Sequence, residues 1–216
     1  MDLLVTESPA SIATLVLAHG AGGAMDSSWM NDMAGLLAER RIRTVRFEFA
    51  YMAGRRQGKR GGPPRADTLL GEYRSVIDEL GTQTQPLLIG GKSMGGRVAS
   101  MLADEEHTAG RIAGLVCLGY PFHPPGQPEK LRTAHLETLQ TPTLICQGTR
   151  DPFGTATDVA GYRLSSAITV HWLEDGEHGF IPRKAISGRT TAQNLGEAAD
   201  AVAGFGERVS ASLDQR

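Results

Sequence analysis

The stretch LLIGGKSMGGRVAS, residues 87–100, decides the reading of this chain. It opens with branched apolar side chains suited to a strand buried on both faces, passes through Gly91-Lys92-Ser93-Met94-Gly95, and continues into residues that favour helix. Strand, sharp turn and helix in that order are the setting in which G-x-S-x-G presents its serine as a nucleophile. Composition alone would give about 0.2 such matches in 216 residues containing 27 glycines, so the placement of the motif, more than its letters, carries the weight. The glycines have a steric reason. A turn this sharp strains the serine backbone, and a side chain two residues to either side would collide with the neighbouring strand or helix.

Short apolar runs rich in β-branched residues recur at 14–18, 42–49, 86–89, 112–118, 143–146 and 168–172, with helical patterns in the intervals. Residues 67–80 place Leu69, Leu70, Tyr73, Val76, Ile77 and Leu80 on one helical stripe, with Asp67 as the expected N-cap. A last helix follows from Leu195, Ala199, Val202, Phe205, Val209 and Leu213. Strand and helix alternating at this spacing predict right-handed crossovers, hence an α/β fold with an open, mostly parallel sheet of about six strands covered on both faces. Ligands in such sheets bind beyond the carboxyl ends of the strands. A 216-residue chain without a visible linker is expected to be a single domain, 1–216.

Composition excludes several classes. Hydrophobic residues are 40 % and charged residues 21 %, as in ordinary globular proteins, and the net charge is −2, so no general nucleic-acid footprint is present. No apolar run approaches the roughly 20 residues of a membrane span, and the N-terminal MDLLVTESPA lacks the basic and apolar regions of a signal peptide. The expected location is the cytoplasm, with no membrane or nucleic-acid partner. Cys117 and Cys146 lie inside apolar runs and suggest neither a disulfide nor a metal pair. The expected assembly is a monomer or homodimer.

A nucleophilic serine needs a base, and the base an orienting acid, which follow an elbow in the order acid, then histidine. Asp151 lies just past the run at 143–146, and His178 just past that at 168–172, so both reach the sheet edge of Ser93. Asp175 and Asp158 are competing acids, Asp175 the nearer to His178. His19 ends the first strong strand and opens His19-Gly20-Ala21-Gly22-Gly23. Its expected role is to tie down that loop. The oxyanion donors are then the N–H of Ala21, with Gly22 as the alternative, and the N–H of Met94.

The segments HGAGGAMDSSWM, RFEFAYMAGRR, LLIGGKSMGGRVAS, TLICQGTRDPFG and EDGEHGF resemble the small α/β hydrolases of a bacterial group related to dienelactone hydrolases. The hydrolase-like domain of an NSL histone-acetyltransferase-complex subunit and its testis-expressed relatives are similar too. The resemblance spans about residues 3 to 210, and HGAGG-x-MDS and GGKSMGGR are its most specific parts. It implies the α/β-hydrolase fold with Ser93, Asp151 and His178 as triad. Dienelactone hydrolases proper carry cysteine where this chain has Ser93, so their substrate is not implied.

About a dozen residues, GYPFHPPGQPEK, separate the run at 112–118 from the next helical pattern, too few for a cap domain. Residues 40–65 hold nine basic residues and only Glu48 as acid, a local charge of +8. The loop 50–65 within them is a candidate wall of the site, with Tyr51, Arg55 and Arg56 as substrate-binding residues attracting an anion. These features predict a serine hydrolase of small esters or thioesters, acting through an acyl-enzyme without cofactor or metal. The alternative is a non-catalytic binding or scaffold protein that presents the basic loop to an anionic partner.

Overall fold

The structure is a computed structural model and describes residues 2–213. Seven strands form one sheet: β1 (Leu3–Thr6), β2 (Ala13–Ala18), β3 (Ile42–Phe47), β4 (Leu87–Lys92), β5 (Gly114–Leu118), β6 (Thr143–Gly148) and β7 (Ile168–Leu173). Their order is β1-β3-β2-β4-β5-β6-β7. All neighbours pair parallel except β1, which runs antiparallel to β3 with Leu3 opposite Phe47 and Thr6 opposite Thr44. The open, mostly parallel sheet is as expected, with seven strands where about six were expected. The four-residue edge strand β1 is too short, and only partly buried, to show a pattern in sequence.

Seven α-helices cover the sheet: α1 (Ser28–Glu39), α2 (Ala50–Arg56), α3 (Leu70–Leu80), α4 (Met94–Thr108), α5 (Ala156–Val159), α6 (Lys184–Ser187) and α7 (Thr191–Leu213). Successive strand residues point to opposite faces, and the two cores separate accordingly. Val16 and Ala18 of β2 pack under α3 and α4 with Tyr73, Val76, Val98 and Leu102. Leu15 and Leu17 face the other way, against Met33 and Leu37 of α1 and Val202 and Phe205 of α7.

Three local expectations change. Asp67 is not an N-cap: a 3-10 turn, Ala66–Leu69, precedes α3, and Asp67 lies within it, held by the Arg65 guanidinium. The loop expected at 50–65 begins as helix α2. Between β5 and β6 there is only one 3-10 turn, Ala134–Leu136, in place of a crossover helix, so no cap domain is inserted there. No helix among the described residues is long and apolar enough to cross a membrane.

Candidate active site

The chain passes from β2 to β3 on one side and then returns to β4 on the other. This reversal opens a crevice beyond the carboxyl ends of β2 and β4, where open α/β sheets bind their ligands. His19-Gly20-Ala21 leaves β2 on one bank, and Lys92-Ser93-Met94 leaves β4 on the other.

Ser93 has φ 52° and ψ −116°, a left-handed backbone that L-residues seldom adopt. Its neighbours are glycines because no other residue fits. A Cβ on Gly91 would lie 2.7 Å from the Ala18 carbonyl oxygen and 2.6 Å from the Gly95 carbonyl carbon, and one on Gly95 would lie 2.6 Å from the carbonyl oxygens of both Ala18 and His19. The close approach of α4 to the end of β2 leaves Ser93 Oγ at the surface of the crevice.

The structure brings Ser93, His178 and Asp151 together. Ser93 Oγ donates to His178 Nε2 at 2.8 Å, and His178 Nδ1 donates to Asp151 Oδ2 at 2.8 Å. Asp151 is fully buried on the turn after β6. Its carboxylate also accepts from Gln147 Nε2 at 3.0 Å and from the Phe153 N–H at 2.9 Å. These bonds fix the carboxylate, which in turn fixes the imidazole tautomer with Nε2 free to accept. The Phe153 ring covers His178 at 4.2 Å between centroids.

The competing acids have other duties. Asp175 accepts from Arg183 and from the Arg183 backbone N–H, and lies 2.8 Å from Arg150 Nε; these partners hold its carboxyl down at about 2. Asp158 forms the capping box of α5 with Thr155.

His19 is buried, and burial pushes its pKa below the usual histidine value. Its Nε2 accepts from the Phe49 N–H at 3.2 Å, so Nδ1 carries the proton and donates to the Gly20 carbonyl at 2.7 Å. It therefore pins the loop that carries Ala21. Ala21 and Met94 both line the cleft beside Ser93, whereas Gly22 is exposed and outside the lining.

Tyr51, Arg55 and Arg56, expected as substrate contacts, lie outside the cleft lining and brace the surrounding loops. Tyr51 Oη donates to the Ala21 carbonyl at 3.1 Å. Arg55 sits over the Tyr51 ring and donates to the Gly61 carbonyl. Arg56 bridges Glu48 and Asp26 at 2.7 and 2.5 Å. Most of the charge in 40–65 is similarly taken up: Arg40 pairs with Asp200, Arg43 with Glu7 and Arg65 with Asp67, while buried Arg46 donates to Met25, Asn31 and Thr6.

The cleft, of about 650 Å³, is further lined by Met101, Arg97, Pro121, Arg132 and Phe153. Arg97 and Arg132, the Gln147 amide that donates to Asp151, and Lys92, whose ammonium donates to the His178 carbonyl, sit at this candidate site and were not among the residues expected there. Lys92 lay within the quoted motif and Gln147 four residues before Asp151, but nothing local announced either role. No group of three or more potential metal ligands occurs among the described residues.

A family profile described as an alpha/beta hydrolase domain matches residues 11–207. Among solved structures, Est1E from Butyrivibrio proteoclasticus superposes with a TM-score of 0.71 at 14 % identity, covering 97 % of this chain and 94 % of its own. Dienelactone hydrolase from Anabaena variabilis gives 0.67 at 19 % identity, over 90 % and 88 %. A lidless a/b serine hydrolase from Xanthomonas campestris gives 0.65 at 21 % identity, over 93 % and 87 %. At these identities the likeness is one of fold.

Proposed function

We propose, from the premise that this chain belongs to the α/β-hydrolase family, that it is a serine hydrolase of small carboxylic esters or thioesters. The observation that carries the proposal is the continuous hydrogen-bonded line from Ser93 through His178 to buried Asp151, 2.8 Å at each step. In this reading Ser93 Oγ attacks the acyl carbon while His178 Nε2 takes its proton. Asp151 stabilises the imidazolium, which then protonates the leaving group. The N–H groups of Ala21 and Met94 receive the developing oxyanion, each worth a factor of about 10² to 10³. Water, activated by the same histidine, then cleaves the acyl-enzyme. Every proton is carried by a side chain of this chain, so the reaction as written needs no cofactor or metal.

The β5–β6 connection carries one 3-10 turn and no cap helices, which supports a preference for short acyl groups, since no helical cap is there to wrap a long chain. At about 0.8 kcal/mol per buried methylene, the gain should end after a few carbons. The alternative of a scaffold presenting its basic loop is disfavoured by the internal partners of Arg55, Arg56 and Arg65. The deciding experiment combines fluorophosphonate labelling with an ester panel of increasing acyl length, in the wild type and Ser93→Ala. Labelling and turnover are expected in the wild type only, highest from acetyl to about hexanoyl. Because the elbow strain is the same for alanine, the thermal midpoint should stay nearly constant. Wild-type turnover in Ser93→Ala would refute the assignment.

A further inference from the structure

Four arginines of the described residues have no hydrogen-bond or ion-pair acceptor for the guanidinium: Arg60, Arg97, Arg132 and Arg208. Arg60 is on an exposed loop, and Arg208 rests on the Phe205 ring. The other two, Arg97 and Arg132, are both partly buried and both line the cleft of Ser93. Arg97 Nε is shielded from solvent and has no partner.

A partly buried guanidinium without an acceptor is costly, and two beside each other more so. Burial, and then the charge of Arg97, lower the pKa of Arg132. Among the described residues the one carboxylate that lines the cleft, Asp67, is already held by Arg65, itself a lining residue, at 3.1 and 2.8 Å. The cleft thus keeps two uncompensated positive charges. Arg97 lies one helical turn, about 5 Å, along α4 from Ser93, its N–H donating to the Ser93 carbonyl. In the proposed reaction the oxyanion is received by the backbone N–H groups of Ala21 and Met94, which leaves the two guanidiniums of the same cleft free for another part of a bound molecule.

We infer that Arg97 and Arg132 form a subsite for an anionic oxygen group, and that the ester cleaved at Ser93 carries a carboxylate or phosphate a few atoms from its carbonyl. The inference rests on the hydrolase reading for the reaction, but not for the binding. Planar guanidiniums suit both groups, through paired charge-assisted hydrogen bonds.

The test has a kinetic and a binding arm. In the first, kcat/KM is compared for the p-nitrophenyl monoester of glutarate and the equally long, neutral p-nitrophenyl pentanoate, after subtraction of uncatalysed hydrolysis. The ratio should favour the glutarate ester in the wild type and in the control Arg60→Gln. It should fall about tenfold or more in each of Arg97→Gln and Arg132→Gln. In the second, glutarate and inorganic phosphate are titrated calorimetrically into Ser93→Ala and into Ser93→Ala with Arg97→Gln or Arg132→Gln. Binding of either anion that the arginine substitutions weaken supports the subsite, and the tighter anion identifies the group. Pentanoate turnover with no preference for the charged ester and no anion binding would overturn the subsite while leaving the hydrolase reading standing. Anion binding at the arginines without turnover of any ester would overturn the hydrolase reading alone.

Discussion

The ammonium of Lys92 donates to the backbone carbonyl of His178 at 2.5 Å, tying the strand that ends at the serine to the loop that carries the histidine. Nζ lies 5.3 Å from the centre of the Trp29 ring and 5.6 Å from that of Phe180. Trp29 itself donates to the Gly179 carbonyl at 3.0 Å, so two side chains hold the 178–180 turn from below. Lys92 is partly buried as a residue, and its ammonium is packed between the Trp29 and Phe180 rings. Burial lowers its pKa to about 8, against the opposing pull of Asp151 and Glu177.

This depressed value sets the sign of a pH effect. Below about 8 the lysine is charged in both folded and unfolded chains; between about 8 and its ordinary 10.5 the unfolded chain binds more protons. Stability contributed by this group therefore rises with pH across that window. Urea unfolding at pH 7.5, 9 and 10.5 should show the wild type gaining stability relative to Lys92→Met as pH rises. A difference independent of pH would refute the account.

Asp151 and Asp175 should separate function from stability. Asp151→Asn removes the acceptor that sets the histidine tautomer, and kcat should fall by about 10⁴. Asp175→Asn leaves His178 and its partners in place and should leave kcat within about threefold. Asp175 is held low by Arg183, so its stabilisation is present above its ordinary 3.8 and lost as pH falls toward about 2. Acid unfolding of the wild type should be steeper through that range than that of Asp175→Asn. A crippled Asp175→Asn with a mild Asp151→Asn would reverse the assignment of the acid.

Tyr51→Phe distinguishes a brace from a substrate contact. Its hydroxyl holds the Ala21 carbonyl at 3.1 Å, so its loss should loosen the proposed oxyanion donor. The expected result is kcat reduced by up to about tenfold with KM little changed, since a neutral hydrogen bond is worth about 0.5–1.5 kcal/mol. A rise in KM at constant kcat would instead make Tyr51 a ground-state binding residue.

Two glycines, Gly95 packed against the end of β2 and Gly22 on the exposed loop after it, should respond in opposite ways. Gly95→Ala puts a Cβ 2.6 Å from two backbone oxygens and forces α4 away from β2. It should cost about 3 kcal/mol or more in chemical unfolding, because neither backbone can yield cheaply. Gly22→Ala meets nothing within 4 Å and needs no positive φ. Its stability should remain within about 0.5 kcal/mol of wild type.

Features encoded by contiguous residues are legible without the fold. The alternation of apolar strands with helical stripes specified the parallel sheet. Gly91 and Gly95, two residues to either side of Ser93, marked the sharp turn because their steric demand is local, and the positions of Asp151 and His178 followed from where strands end. Tertiary structure decided what depends on partners distant along the chain. The four residues of β1 became a strand only because β3 offers them a free edge. Arg40, Arg43 and Arg56 formed a basic run on paper, yet Asp200, Glu7 and Asp26 reach them from 160, 36 and 30 residues away. Arg97 and Arg132, in contrast, were unremarkable letters until folding set both on the cleft of Ser93 without an acceptor. Charge is legible in a sequence, but its neutralisation is a property of three-dimensional distance.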